Sequence, residues 1–395
     1  MKKYTFVQAM PVWAADREYE KNLWLEFSTE LQKSEGVTLS LACSCVYSLR
    51  INGKFIAFGP ARSAHGFYRV DEIDLTELLS NGRNKLTITV AGYNVNSFYT
   101  LDQPSFLCAE IAENGKIVAA TGKSGFRCRQ VTEHEQKVGR YTYQRAFSEI
   151  YDLKKISDDE IKVVFVNEEK TFIYRDSALN VYPREKAEGI VFRGKVHIGD
   201  HKAELKYPRQ LVTIDNEKYK GYKLEELTTD LHLLARNIDI DSVEKTDSRP
   251  KSYYIENGSY AVIKMKHDTT GTVSLKIKSD EPNEILLTFS EIISPDNTVD
   301  YRFGGMTRAI LWRIPAGEYT LENFEPYSMQ YIAVYPLKGA VTINDFEMVC
   351  FGADKPDVKL KSSDTELNAI FDAAIETYRQ NTFTIYMDCP SRERA

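Results

Sequence analysis

Up to about residue 350, apolar side chains recur mostly at every second position. Lys85-Leu86-Thr87-Ile88-Thr89-Val90 alternates strictly, as does Val273-Ser274-Leu275-Lys276-Ile277-Lys278. In an extended chain, successive side chains point to opposite faces, so each run offers one face to a core and one to water. The pattern predicts half-buried antiparallel strands. Tyr47-Ser48-Leu49-Arg50-Ile51 enters Asn52-Gly53 and leaves through Lys54-Phe55-Ile56-Ala57-Phe58, and Asn-Gly suits the two positive φ angles of a type I′ hairpin turn. Asn81-Gly82, Asn257-Gly258 and Lys338-Gly339 add further turn signals between strand runs. Together these features predict β-sandwiches.

Two sandwich blocks separate, residues 1–165 and 251–352. Residues 166–250 alternate less clearly and carry more charge. They hold strand-like pieces at Ile190-Val191-Phe192 and Leu205-Lys206-Tyr207 and a short helix near Leu224–Ala235, and are read as an extension of the first sandwich and a linker. From residue 353 the period changes. Ser363-Asp364-Thr365-Glu366 has the form of a capping box, with Ser363 at the N-cap, and opens Leu367, Ile370, Phe371, Ala374 and Tyr378 at helical spacing. An amphipathic helix of about 16 residues is expected. The apolar run Phe383-Thr384-Ile385-Tyr386-Met387 follows, then Asp388-Cys389-Pro390-Ser391-Arg392-Glu393-Arg394-Ala395. The fold class is therefore mainly β: two antiparallel β-sandwich, jelly-roll-like domains followed by one amphipathic helix. A lone helix with one apolar stripe needs a surface to pack on. Either it docks on a sandwich, or the chain is the front part of a longer protein.

Composition narrows the class. The 395 residues carry 51 Lys plus Arg against 57 Asp plus Glu, a net charge of −6, with both signs mixed along the chain. That argues against nucleic acid and anionic membranes as partners. No window approaches 18 consecutive apolar residues, so no transmembrane helix is expected. Met1-Lys2-Lys3 and the short interrupted apolar stretch after it read as a first strand rather than a signal peptide. The six cysteines, Cys43, Cys45, Cys108, Cys128, Cys350 and Cys389, form no CxxC pair and are too sparse for a disulfide scaffold. Cys43 and Cys45, two apart on a strand, read as buried free thiols, which favours a reducing, cytoplasmic setting.

Few residues signal chemistry. His197 and His201 are separated by Ile198-Gly199-Asp200, whose turn character argues against a helical His-x3-His metal pair, and no metal or cofactor is expected. There is no phosphate loop, Gly304-Gly305 being a turn, and no GxSxG nucleophile elbow. The loop Tyr93-Asn94-Val95-Asn96-Ser97-Phe98-Tyr99 interleaves aromatic rings with amides directly after a strand, which marks Tyr93, Asn94 and Asn96 as candidate ligand-binding residues. Strand propensity and core packing are the rival account of the same aromatics. Asp388 and Glu393 lie five apart across a Cys-Pro turn, and Arg392 and Arg394 flank the Glu. Paired carboxylates suit acid catalysis and sugar binding. The rival reading of Ser-Arg-Glu-Arg at a chain end is a solvated, frayed tail.

The order of these features resembles a known family. Asp388-Cys389-Pro390-Ser391-Arg392-Glu393-Arg394 is similar to the signature that opens the active site of bacterial α-L-rhamnosidases, the family 78 glycoside hydrolases. Tyr47, Ile51-Asn52-Gly53-Lys54, Tyr68, Asp74-Leu75-Thr76 and Leu78-Leu79 resemble their N-terminal, galactose-binding-like sandwich. Phe289-Ser290-Glu291-Ile292, Asp296, Phe324-Glu325-Pro326 and Tyr331-Ile332-Ala333-Val334 resemble the sandwich before the catalytic domain, and Ser363-Asp364 with Leu367-Asn368-Ala369-Ile370 the start of that domain's first helix. The resemblance spans nearly the whole chain and is weakest across residues 166–250.

This resemblance implies an inverting hydrolase with an (α/α)6 catalytic barrel that cuts terminal α-linked L-rhamnose from a rhamnose-containing glycoside or polysaccharide. By position, Glu393 would be the general acid and Asp388 would bind sugar hydroxyls, with Arg392 among the substrate-binding residues. Residues 353–395 would be the first helix and motif of that barrel. The base, which must stand roughly 6.5–9.5 Å from the acid, lies in the family far beyond this position. The chain is thus expected to be an N-terminal accessory region that is itself inactive. Two alternatives stay open: a complete, non-catalytic carbohydrate-binding protein of two sandwiches, and a glycosidase for a different sugar.

Overall fold

The computed structural model describes residues 2–142, 144–201, 222, 226–228, 231–302 and 306–395. The Leu205-Lys206-Tyr207 piece, the Gly304-Gly305 turn and the Leu224 end of the expected short helix lie outside the described residues. The described part of that helix runs Leu231–Arg236. The chain is mainly β and divides into two compact units. No described helix is long and apolar enough to cross a membrane.

The first unit contains Met1–Thr132 and Ile156–Leu179. Its larger sheet runs Val163–Phe165, Val12–Ala14, Leu107–Glu113, Val37–Cys43, Phe67–Asp74 and Thr171–Tyr174, and its smaller sheet Arg127–Gln130, Leu23–Gln32, Arg83–Gly92, Val46–Ile51 and Lys54–Gly59. Leu86, Ile88 and Val90 are buried while Thr87 and Thr89 are half-exposed, as strict alternation requires. Asn52 and Gly53 have φ of 52° and 78°, the two positive values that the Asn-Gly hairpin predicts. The sheets face each other: Trp13 packs 6.4 Å from Phe27 across the core. The Tyr47 hydroxyl crosses the same interior to donate to Asp71 at 2.6 Å. Burial pushes the Asp71 carboxyl up, and the Arg175 guanidinium, 2.9 Å away, pulls it back. Gly59 makes room for this pair, because a Cβ there would stand against the Asp71 carboxylate and the Tyr47 ring. One pair departs from the antiparallel rule, since Thr171–Tyr174 runs parallel to Phe67–Asp74.

The second unit contains Glu133–Lys155 and the described residues from Asn180 onward. Its organising element is the 21-residue strand Ser259–Ser279. Ser259–Lys264 pairs with Gly189–Ile198, and Gly271–Lys278 pairs with Val341–Cys350. Tyr327–Pro336 lies alongside both halves, with a register shift between Lys264 and Thr269. An irregularity of this kind bends a strand and lets its two halves serve different neighbours. Glu149–Asp152 joins the sheet parallel to Ala309–Ile314.

Residues 133–155 sit with the second sheet and 156–179 return to the first. Arg184–Lys186, Gly189–Ile198 and Glu244–Ser248, read from sequence as extension and linker, add strands to the second sheet. Several of these strands have only three to five residues. So short a strand shows no period of its own and is recruited by hydrogen-bonding edges that the longer strands leave open.

The helix runs Thr365–Gln380, with the expected length of 16 residues. Its cap is Asp364, one residue after the Ser363 that the capping box suggests: the Asp364 carboxylate accepts from Glu366 N at 2.9 Å and Leu367 N at 3.2 Å. A full negative charge at a helix N-terminus also meets the helix dipole favourably, which a hydroxyl cannot match. The apolar stripe is uncovered, with Leu367 44%, Ile370 59% and Tyr378 45% exposed. The C-terminal turn is tied to the sandwich, where Gln380 accepts from Thr270 N at 2.9 Å and donates to Asp268 O at 2.8 Å.

Candidate active site

Beyond the helix the chain turns onto the second unit. Phe383 and Met387 are buried, Phe383 edge-on to Phe351 at 5.8 Å, and these apolar anchors bring the polar residues after them down to the protein. Arg394 is the deepest of these, 2% exposed. It adopts the left-handed backbone with φ 58°, a conformation that costs free energy for a residue with a Cβ. Its side chain supplies the compensation. Nε donates to Pro390 O at 2.9 Å, Nη1 pairs with Glu325 at 2.5 Å, and Nη2 donates to Pro326 O.

Glu325 is equally buried and shared. The Arg145 Nη2 reaches the same carboxylate oxygen at 3.2 Å, and Arg145 Nη1 donates to Ser391 O at 3.0 Å. The Arg145 guanidinium lies between two rings, 4.9 Å from the centroid of Tyr141 and 4.7 Å from that of Tyr327. Glu149 completes the cluster. It accepts from Tyr151 Oη, from Tyr327 Oη at 2.9 Å, and from the backbone N of Phe324 at 2.7 Å and of Glu325 at 3.1 Å. Burial, with the Glu325 carboxylate nearby, raises the Glu149 carboxyl above its ordinary range, and these hydrogen bonds offset only part of that. The Glu325 carboxylate between two guanidinia keeps buried charge paired, which is the condition for keeping it buried.

On this base stand the residues that sequence singled out. The Glu393 side chain is 12% exposed and its carboxylate has three side-chain partners. Arg392 Nη2 and Gln144 Nε2 donate to Oε1, the latter at 2.8 Å, and the Cys389 thiol donates to Oε2 at 3.0 Å. Desolvation pushes the Glu393 carboxyl up, but the hydrogen bonds from Arg392, Cys389 and Gln144 outweigh it and hold the pKa at about 2. Asp388 is exposed, its Oδ1 accepting from Ala395 N at 2.8 Å. Asp388, Arg392 and Glu393 therefore form one cluster on a folded surface, not a frayed tail.

Asp388, Cys389 and Glu393 also bring one potential ligand atom each within 4.8 Å of one another. The thiol on Oε2 and the Glu393 N on Sγ at 3.2 Å tie Cys389 to Glu393 by internal hydrogen bonds. His197 and His201 stand on a strand end and the turn after it. They are exposed and pair with Asp241 at 2.8 Å and with Asp239 at 2.7 Å.

Tyr93, Asn94 and Asn96 belong to the first unit. Tyr93 is fully buried, its ring edge-on to Trp24 at 6.0 Å. Asn94 is 3% exposed and its amide donates to Glu18 O at 3.3 Å, while Asn96 accepts from Asp102 N at 3.0 Å. The Asn94 amide nitrogen and the Asn96 carbonyl thus bond within the protein, while the buried Asn94 Oδ1 has no hydrogen-bond partner. Sequence reasoning missed Gln144, Arg145 and Glu149. Tyr141 to Glu149 has no clear period and no turn pair, so nothing local marks it; Glu325 alone had a signal, in Phe324-Glu325-Pro326.

No protein-family model matches the chain, and no curated protein matches it in sequence. Solved structures do. The GH78 family rhamnosidase of Bacillus sp. GL1 superposes with a TM-score of 0.74 at 15% identity, over 100% of this chain and 60% of that one. The α-L-rhamnosidase of Streptomyces avermitilis, complexed with L-rhamnose, gives 0.59 at 14% identity over 95% of this chain and 33% of its own. The α-L-rhamnosidase from Dictyoglumus thermophilum gives 0.55 at 14% over 99% and 40%. The chain spans 60% or less of the length of these proteins. At this identity the superpositions establish a common fold and no more: the chain has the fold that these α-L-rhamnosidases carry in the matching part of theirs.

Proposed function

We propose that residues 1–395 serve an inverting glycoside hydrolase that removes terminal α-linked L-rhamnose, with Glu393 as general acid and Asp388 and Arg392 as sugar-binding residues. One observation carries the reading. Two segments that resemble the rhamnosidase family and lie far apart in sequence, Phe324-Glu325-Pro326 and Asp388 to Arg394, meet through the buried Glu325–Arg394 pair at 2.5 Å. An acid seated on such a base keeps a defined direction, which proton delivery to a leaving oxygen requires.

As it stands, Glu393 is ionised at neutral pH and has no proton to give. Arg392 is the partner that can leave, since its side chain is 48% exposed. A sugar hydroxyl that engages Arg392 withdraws it from Glu393 and lets the acid's pKa rise toward the range where it transfers protons. Inversion further needs a base roughly 6.5–9.5 Å from the acid, with a water between base and sugar. In this reading the base and most of the sugar pocket belong to a barrel outside residues 1–395, and the 395-residue chain alone is inactive.

The test is release of nitrophenol from p-nitrophenyl α-L-rhamnoside. The chain alone should release none. A protein holding these residues together with a catalytic barrel should release it, and Glu393→Gln there should lower kcat about 100-fold or more. Activity of the chain alone would overturn the inactive reading, and full activity in Glu393→Gln would remove Glu393 as the acid.

A further inference from the structure

Gln144 reaches Glu393 across 249 positions of sequence, from a segment that joins the second sheet through Glu149–Asp152. Its placement is built in rather than incidental. Gln144 is 8% exposed, and its backbone N donates to Thr142 Oγ1 at 3.0 Å. The next residue is Arg145, stacked between Tyr141 and Tyr327 and bonded to Glu325 and to Ser391 O. Arg140, fully buried, donates Nε and Nη2 to Arg145 O at 3.0 and 2.8 Å, so the backbone that carries Gln144 is held from both sides. Ser391 and Arg394, on either side of Glu393, are fastened by Arg145 and Glu325. The acid and its amide partner therefore belong to one rigid assembly.

We infer that Gln144 is a positioning residue for Glu393: its amide fixes the carboxyl oxygen Oε1, so that the carboxyl plane and its second oxygen keep one orientation, while Arg145 locks the Gln144 segment to the motif. This rests on the reading of Glu393 as the acid. The two contacts on Oε1 differ in kind. Arg392 is a neighbour on a half-exposed side chain, whereas Gln144 is buried and stays if a ligand draws Arg392 away, leaving an acid that is freed for protonation without losing its aim.

The experiment reads the contact without reading hydrolysis. In the 395-residue chain carrying Arg392→Ala, the ¹³C resonance of the Glu393 carboxyl, assigned by its loss in Glu393→Gln, is followed against pH. Adding Gln144→Met, which keeps length and removes the donor, should raise the affinity of Glu393 for its proton about tenfold, the scale of one lost hydrogen bond to a charged group. An unchanged midpoint would overturn the proposal, and a merely structural role would lower the melting temperature without moving the midpoint. If the variant does not fold, the Gln144 side-chain amide in the Arg392→Ala chain is the second measurement: its ¹⁵N shift should track the Glu393 titration, and an amide blind to it would equally overturn the contact. Failure of the rhamnoside assay leaves both readouts standing, so the two ideas fail separately.

Discussion

Glu325 shows most sharply what a single residue does here. It is 1% exposed and pairs with two guanidinia whose side chains are 1% and 3% exposed. Glu325→Gln keeps the shape and strands both cations in a low-dielectric interior, so it should cost about 3–5 kcal/mol in urea unfolding. A loss below about 1 kcal/mol would mean that water already reaches the guanidinia. His134 makes an opposite kind of demand. Burial holds it neutral and drops its pKa from 6.5 to about 3. The folded value lies below the unfolded one, so its contribution to stability is complete above pH 6.5 and is lost as pH falls toward 3. His134→Phe should therefore flatten the decline in unfolding free energy across that window, and an identical slope in variant and parent would show that His134 takes no part. Glu393 follows the same sign. Its folded pKa of about 2 lies below the ordinary 4.5, so Glu393→Gln should lose stability at neutral pH and converge on the parent as pH falls toward 2.

At the scale of elements, the helix cap separates what pattern suggests from what geometry chooses. Asp364→Ala should cost about 1 kcal/mol, seen as faster amide exchange over the first turn, whereas Ser363→Ala should change little. Equal effects would place the cap at Ser363. Strands were legible where they were long. Arg83–Gly92 and the Val46–Gly59 hairpin follow from alternation and from Asn-Gly alone, because a period of two over six or more residues has no helical equivalent. Glu149–Asp152 was not legible. It has four residues, all but one buried, and its pairing partner Ala309–Ile314 lies about 160 positions away, so its identity as a strand exists only in the sheet.

For the molecule as a whole, each unit is closed by contacts between residues remote in sequence: Tyr47 with Asp71 and Arg175 in the first, Arg145 with Glu325 and Arg394 in the second. The helix Thr365–Gln380 keeps its apolar stripe open among the described residues. A protein that joins this chain to a barrel should bury Leu367, Ile370 and Tyr378. Amide exchange over Ile370 to Tyr378 should then be slower than in the chain alone by the local stability gained, and equal rates would mean that nothing covers the stripe.

Sequence alone was enough for the β class, the hairpin and the terminal helix, because periodicity and turn chemistry are properties of neighbouring residues. Tertiary structure decided the rest. It alone placed Tyr93 and Asn94 in the interior and moved residues 133–155 into the second unit. It alone seated Glu393 on Gln144, Arg145 and Glu325. Burial and charge pairing depend on which distant segments meet, and that is set by closure of a common core, to which no local stretch of sequence has access.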